Sequence, residues 1–442
     1  MAFNVRAAIT ALFSQKQAID ITNPTSLALI LNNSDFNNDV GFITVSQEAF
    51  ERNVITYRCI EMVASAIGNL HWTLKNKKTQ EAIESHPVLD LLSNPNPLQG
   101  KATFFHNVQA DKMLDGNYFI EMVKPNFDDT LQVPNNKPPL ELWALRPDMV
   151  TVMLSQNRLP DSYNYMAGNM GGKPKVFPVD QLTGNSNIIH GISYSPLRET
   201  QRGRGLSPVR AAWLAIQTHN EGQKWNRGLL KNGARPSGVL ATDKNLDAEQ
   251  INQLRSMMEE NHSGGRNAGK TMVTANGLKW TQVAMSPQDM DFNNGKSSAA
   301  RDISLALGVP PVLLHLPGDT AYNNVSEARV AFYQETVIPE ANSIRDELNR
   351  RLVPLYGDNL YLDINLDRIE ALAPVRNEKW TFINNSSFLT QNEKRAEMGY
   401  EPIEGGDMIL VPTNMMPMNE PVEDGELPKT DKEPGDNEAS NE

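Results

Sequence analysis

The sequence predicts an α+β fold in several pieces, and three observations predict it. Ahead of Gly205, short stretches that alternate apolar and polar residues (Asn117–Val123, Leu140–Leu145, Met149–Leu154) interleave with short helical patterns. Beyond Gly205 the chain turns to longer helical patterns with marked ends. Between two of these, Asn276-Gly277 joins the strand-like runs KTMVTA and LKWTQV as a hairpin. A chain of 442 residues can bury a sizeable core in about two to four units.

Taken in order, residues 14–50 are polar and rich in asparagine and read as a mobile arm. The first residues, MAFNVRAAITALFSQKQ, read as an amphipathic helix opening that arm and lack the small-residue cleavage pattern of a signal peptide. A helix follows over Gln47–Ile67, with Cys59 on its apolar face, and then a strand in HWTLKN. HPVLDLLSNPNP is a short helix stopped by an Asn-Pro pair, Phe104–Leu114 is another helix, and NSNIIHGI is a short strand. Ser207 is a good N-cap, Pro208 suits the first helical position, and Lys231 and Gly233 mark the far end of that helix. Its polar middle (Gln217, Asn220, Gln223, Asn226) is the pattern of a helix lying against solvent or another copy of itself, solvent being the simpler reading. SGVLAT reads as a strand, and Asp247 opens the next helix with Gln250 three residues on. Lys296–Leu307 is helical and is ended by Gly308 and then Pro310-Pro311. Asn324 and Glu327 form a second capping-box pattern ahead of a helical run over Val325–Leu352. At 1.5 Å per residue that run spans roughly 42 Å. Pro339 removes a hydrogen bond in its middle, so the residues alone fit either one bent helix or two helices in an ordinary core.

The net charge is −12, but it is unevenly spread: Met418–Glu442 holds nine acids against Lys429 and Lys432. That stretch is proline-rich and has no aromatic residue, the composition of a disordered tail. The remainder is mildly acidic, which argues against a tight, sequence-reading DNA binder. No run approaches the 18 or more apolar residues of a membrane span. A single cysteine excludes an intrachain disulfide and fits a reducing, intracellular compartment.

Chemistry-bearing motifs are sparse. Gly264, Gly269, Lys270 and Thr271 in GGRNAGKT satisfy the pattern of a phosphate-binding loop, but that loop needs a strand before it and a helix after it. Here a helix precedes and a strand follows, so the helix would offer a phosphate the negative end of its dipole. The seven histidines lie at least 15 residues apart, so no local zinc spacing exists, and neither G-x-S-x-G nor H-E-x-x-H occurs. Neither catalytic nor metal residues are assigned, no cofactor is expected, and the chain reads as a non-enzyme.

Several pieces in a fixed order carry a resemblance: HPVLDLLSNPN; LDGNYFIEMV with LELWALRPDMVTV; IIHGISYSP with GRGLSPVRAA; NGARPSGVL; and the block from DISLALGVPPVLLHLPGDTAYNN through VSEARVAFYQETVIPEANSIRDELNRRL. Together, over about residues 50 to 355, they resemble the portal (head–tail connector) proteins of tailed bacteriophages, in the shorter family typical of long-tailed phages. The resemblance implies a ring, usually of twelve subunits, in the virion at one capsid vertex, assembled in the host cytoplasm. Through it the terminase pumps double-stranded DNA, without sequence specificity, and onto it adaptor proteins later assemble. It implies as partners the terminase large subunit, the major capsid protein, head–tail adaptors and further copies of the chain, with no membrane. Carried onto this sequence, it implies an arm over 1–50, a wing over 51–205, a first stem helix over 206–232 and a clip over 233–290. A second stem helix over 291–315, a tunnel loop over 316–324, a long kinked helix over 325–352, a wing return and crown over 353–411 and an acidic tail over 412–442 complete it. Lys244, Asp247 and Gln250 become docking candidates in the clip.

The expected tunnel loop runs Leu316, Pro317, Gly318, Asp319, Thr320, Ala321, Tyr322, Asn323, Asn324, and its only formal charge is Asp319. Each phosphate neutralised by a basic side chain adds affinity that would grip DNA, so a loop without Lys or Arg suits contact without holding. A plain surface connection rich in turn formers has the same composition. Two other functions stay open on the residues alone: an ATPase using GGRNAGKT, and a virion scaffold component with no channel.

Overall fold

Folded structure begins earlier than the composition suggests. Phe42–Val45 is helical and passes into a π-helical turn over Ser46–Glu51, and Val45 and Ala49 are both buried. Residues 42–50 therefore belong to the folded body and not to an arm: two small apolar residues four apart make one helical face, which the polar surroundings conceal. The helix expected over Gln47–Ile67 is also divided. Asn53 leaves the helical conformation, and its Oδ1 accepts from the N–H groups of Ile55 and Thr56 at 3.1 and 3.0 Å, which starts helix α1 at Val54–Gly68.

The computed structural model describes residues 42–125, 136–155, 159–166, 174–196, 203–231, 238–241, 247–262, 279–282, 292–316 and 322–409. They fall into two units, one ending at Leu372 and the other beginning at Ala373.

In the first unit, α1 repeats Thr56, Ile60, Val63 and Ile67 on its buried face at helical spacing. That face packs on Phe104, Phe105 and Val108 of helix α3 (Lys101–Asp115). A Cβ on Gly68 would meet the Ala102 carbonyl oxygen at 2.5 Å, so the glycine permits the close approach of the two helices. Between them run β1 (Trp72–Asn76), the short β2 (Ala82–Ile83) and α2 (Pro87–Ser93), whose first N–H is taken by the His86 ring. β1 is the middle strand of a three-stranded sheet and pairs with β11 (Leu360–Ile364) far along the chain, Leu74 opposite Leu362.

Two further antiparallel sheets follow. In the first, β3 (Asn117–Val123) lies between β4 (Glu141–Leu145) and β8 (Ile188–Ile192). In the second, β6 (Pro160–Tyr165) lies between β5 (Val150–Leu154) and β7 (Lys175–Pro178). Along β5, Val150 and Val152 point inward and Thr151 and Met153 outward, the period of two that marks a half-buried strand. These valines join Phe119, Leu145, Tyr163, Phe177 and Ile188 in a small second core.

Helix α4 (Pro208–Ala211) continues after one irregular residue, Ala212, as α5 (Trp213–Lys231), and Ser207 Oγ caps it by accepting from Val209 N–H at 3.0 Å. The polar middle of α5 does not lie wholly against solvent. His219 and Asn220 are buried, and Asn53 Nδ2 reaches His219 Nδ1 at 3.1 Å and Asn220 Oδ1 at 2.9 Å. Asn220 Nδ2 in turn donates to the Glu48 carbonyl at 2.8 Å, so one polar cluster ties the entry segment, α1 and α5 together. Beyond it, β9 (Gly238–Ala241) pairs antiparallel with β10 (Lys279–Gln282) on either side of α6 (Ala248–His262). The KTMVTA run and Asn276-Gly277 lie outside the described residues. Helix α7 (Phe292–Ala306) starts four residues ahead of the expected Lys296. Boundaries drift in this way where no strong cap marks them.

The second unit holds α10 (Ala373–Asn385) and α11 (Gln391–Glu397). Thr390 and Glu393 close a reciprocal capping box: Glu393 N–H donates to Thr390 Oγ1 at 3.1 Å, and Thr390 N–H donates to Glu393 Oε2 at 2.8 Å.

His190 records how tightly the second core is built. Its ring stacks on Phe119 at 4.2 Å, and Nε2 lies 3.2 Å from Asn117 Oδ1, which also accepts the Gly205 N–H. Burial, then the nearby Arg204, Arg351 and Arg350, push its pKa down to about 3 from the ordinary 6.5. In the fold the ring therefore stays neutral where the unfolded chain would already bind a proton. The unfolded state gains protons first as pH falls, so stability is full above pH 6.5 and drains between about 6.5 and 3. The urea midpoint should fall over that window, and His190→Gln, which keeps a donor for Asn117, should flatten the fall while lowering the midpoint at pH 7.

Candidate channel loop and its supports

The segment singled out as a channel loop is bracketed by two rigid ends. On its entry side, α7 closes with a full Schellman arrangement. Gly308 adopts φ +69°, its N–H donates to the Leu305 carbonyl at 3.1 Å, and the Val309 N–H donates to the Ser304 carbonyl at 2.9 Å. Pro310 and Pro311 cannot continue a helix, and Pro311–Leu314 forms a single 3₁₀ turn. His315 then takes a left-handed conformation at φ +51°, and Leu316 turns inward and is buried. Of the expected loop, Pro317, Gly318, Asp319, Thr320 and Ala321 lie outside the described residues.

On its exit side, helix α8 spans Tyr322–Ala331. Tyr322 and Asn323 are thus helical, and Asn324 sits exposed inside the first turn. The capping box expected from Asn324 and Glu327 does not form, because the helix starts at Tyr322, three residues ahead of the expected Val325. The first turn needs no intrahelical partner for its N–H groups, so Tyr-Asn-Asn is accommodated there.

Pro339 was expected to bend the long helix. Here α8 passes into a π-helical stretch, Phe332–Val337, and then into α9 (Ile338–Arg351), with Pro339 in the first turn of α9. The Ile338 N–H donates to the Tyr333 carbonyl, five residues back, so the widened turn ends just ahead of the residue that has no N–H to give. The π stretch turns Thr336 toward the end of α7, where its Oγ1 donates to the Gly308 carbonyl at 2.6 Å. One turn beyond, Lys112 of α3, itself buried, donates to Glu340 Oε2 at 2.8 Å and Ser343 Oγ at 3.1 Å, and Gln109 reaches the same Glu340 oxygen at 3.1 Å. The loop thus springs from helices that are latched to each other and to α3.

Sequence reasoning missed both latches. Lys112 carried a signal, since it repeats with Phe104 and Val108 on the core face of its helix, where a cation needs a partner. Thr336 carried none, because only the π turn aims it at Gly308. In the expected clip, Asp247 and Gln250 are exposed at the start of α6. Gln250 Oε1 accepts from the Asp247 N–H at 3.2 Å, while Asp247 Oδ1 accepts from the adjacent Ala248 N–H at 2.7 Å, so half of the capping box forms. Lys244 lies outside the described residues, and so does GGRNAGKT. The last residue of α6, His262, stands two residues before Gly264, the first residue of the latter, which places a helix C-terminus just ahead of it.

Among the described residues no three His, Cys, Asp or Glu side chains gather where they could hold a metal ion. Cys59 is buried, and burial pushes its thiol up to about 12, so it packs as a small apolar group and is no nucleophile. No helix of the described residues is long and apolar enough to cross a membrane.

The sequence profile of the family described as phage portal protein matches residues 55–399. The chain belongs to the phage portal protein family. A relative of undescribed role from Rickettsia bellii is 36% identical over 380 residues, covering 84% of this chain and 94% of its own. Among solved structures, the neck of an empty gene transfer agent particle in C6 symmetry matches with a TM-score of 0.64 at 34% identity, over 82% of this chain and 94% of that one. The neck of the native particle in C12 symmetry matches with a TM-score of 0.61 at 33% identity over the same shares. This portal family member therefore has the mixed helix-and-sheet fold that the sequence implied.

The Gly308–Thr336 latch makes a quantitative expectation. A Cβ at Gly308 would stand 2.8 Å from Thr336 Oγ1 and 2.9 Å from its Cγ2, at a φ that side chains resist. Gly308→Ala should cost about 2 kcal/mol in urea unfolding. Adding Thr336→Ser, which removes the crowded methyl and keeps the hydroxyl, should return part of that loss.

Proposed function

We propose that the chain forms the portal ring, probing no sequence but conducting double-stranded DNA into and out of a capsid at one vertex, as part of the virion. The reading rests on family membership together with one feature of this chain: a loop with a single formal charge, Asp319, held between two helices whose ends are fixed. The likeness to particle necks in C6 and C12 symmetry supports a closed ring, and twelve copies is the proposed number. With Leu316 buried at its root, loops from twelve copies would present Pro317–Asn324 around the duplex as a surface of Pro, Gly, Thr, Ala, Tyr and Asn that touches phosphates without binding them. The terminase large subunit would dock on the clip, where Lys244 and, at the exposed start of α6, Asp247 and Gln250 are the candidate residues, with head–tail adaptors replacing it. The major capsid protein would surround the ring. The role is mechanical, and no step of it asks the chain for catalysis.

Negative-stain images of the purified protein should show annular particles with a central hole, and native mass spectrometry should give a multiple of the 49.2 kDa chain. Particles that stay at one chain mass would refute the ring. Asp319→Lys should leave assembly intact and slow DNA packaging in about 50 mM salt, with recovery toward the wild-type rate in about 200 mM, since each added phosphate contact is salt-sensitive. Equal rates at both salt concentrations would remove the low-friction account of the loop.

A further inference from the structure

Beside the loop lies a cleft of about 430 Å3 between α1 and the start of the long helix. Its floor is apolar, with Met62, Leu313 and Phe332, and its rim carries Arg58, His315 and Arg329. Arg58 and Arg329 are exposed, and neither makes a hydrogen bond or ion pair among the described residues. The acid in the same wall, Glu61, is already engaged: its Oε2 meets His106 Nε2 at 3.1 Å, and its Oε1 accepts from Ser65 Oγ at 3.1 Å. Among the described residues, two guanidinium groups are thus left without a carboxylate partner on a chain whose net charge is −12.

The complement stands on the same helix. Glu327 precedes Arg329 by two residues, about 200° of rotation on a helix of 3.6 residues per turn, so it faces nearly away from the cleft. Glu335 follows in the π stretch, and both carboxylates are exposed without a described partner. A basic recess on one side of a helix and carboxylates on the other cannot meet within one copy, but they can meet between copies related by rotation. Such head-to-tail contact of two different faces is what closes a ring.

We infer that Arg58 and Arg329 in the cleft of one copy receive Glu327 and Glu335 from the long helix of the next copy. This rests on the ring proposed above. Each copy then uses both faces, and no guanidinium of the pair is left free beside the loop. The contact is an ion-pair network on a partly apolar floor, so it contributes to register between copies as well as to affinity.

The test is charge reversal in the full chain, read by native mass spectrometry across protein concentration. Arg329→Glu and Glu327→Arg, each alone, should raise the concentration at which half the chains are in rings by about tenfold, since attraction becomes like-charge repulsion. The double variant, Arg329→Glu with Glu327→Arg, restores opposite charges across the contact and should return assembly toward wild type. In about 1 M salt, where the screening length falls to about 3 Å, the single variants and wild type should converge. Urea unfolding of each variant checks that the fold persists, and Arg58→Glu provides a second single variant should Arg329→Glu fail to fold. Wild-type rings with unaltered assembly in the folded single variants, or no recovery in the double variant, would overturn this contact and leave the ring standing. Absence of rings from the wild type itself would instead strike the ring reading.

Discussion

A proline has no N–H to give, and the course of the chain from the loop to β11 depends on where that loss falls. At Pro339 an uninterrupted α-helix would leave the Glu335 carbonyl unpaired and press it against the pyrrolidine ring. The π stretch Phe332–Val337 accommodates the defect by adding one residue to the turn just before it. The apolar face shows the insertion directly: its buried residues step from Phe332 to Val337 by five, and then to Ala341, Ile344 and Leu348 at ordinary helical intervals. The same extra residue swings Thr336 onto Gly308. A backbone defect is thereby converted into a contact between two helices that flank the loop. Relieving it by replacing Pro339 would disturb the latch as well as the turn.

How much of this was legible follows from how local each cause is. Strands β3, β4, β5 and β8 were readable because their alternation is written in consecutive residues, and Asn117–Val123 was delimited without error. The Schellman end at Gly308 was readable because a glycine followed by prolines is a local stop. β6, β7 and β11 were not read as strands. PDSYNY is too polar to show its burial, and β11 exists through pairing with a strand that lies far away in sequence. The helical entry ahead of Gln47 was hidden among asparagines, and the burial of His219 and Asn220 could not be seen without knowing that Asn53 lies opposite. At the loop itself composition was legible, whereas its supports were tertiary: an ammonium from α3, a hydroxyl aimed by a π turn and a helix start moved three residues upstream.

The buried polar groups at these supports have a shared logic. Lys112 is nearly enclosed, and an unpaired ammonium there would be far costlier than any hydrogen bond could repay. Glu340 and Ser343 satisfy it, at the place where α9 must be held against α3 for the loop to have a fixed exit. A leucine at 112 could fill the space, but it would fix neither the rotation of α9 nor its position along its axis. Directional bonds do both. Asn53 acts in the same way at the other end of the unit, with an acceptor spent on capping α1 and a donor spent on α5. Apolar burial supplies the cohesion, and these few polar contacts select one register among several that the same apolar faces would allow.

The disposition of positive charge completes the argument. In the conduit proposed above, cations cannot be left free where the polyanion passes, yet the fold needs cations for packing. Lys75 and Arg345 share Asp363, Arg204 is held by Asp115, and Lys112 by Glu340. Each of these cations is matched by a carboxylate in the same chain and offers little to a passing phosphate. Among the described residues Arg58 and Arg329 break that pattern within one copy, next to the very loop that carries no Lys or Arg. In a closed ring the exception would disappear, because the next copy brings Glu327 and Glu335. On that proposal, neutrality of the passage is a property of the assembly and not of the subunit: a single chain would be sticky toward nucleic acid at this cleft, and closure of the proposed ring would remove the stickiness as it forms the channel.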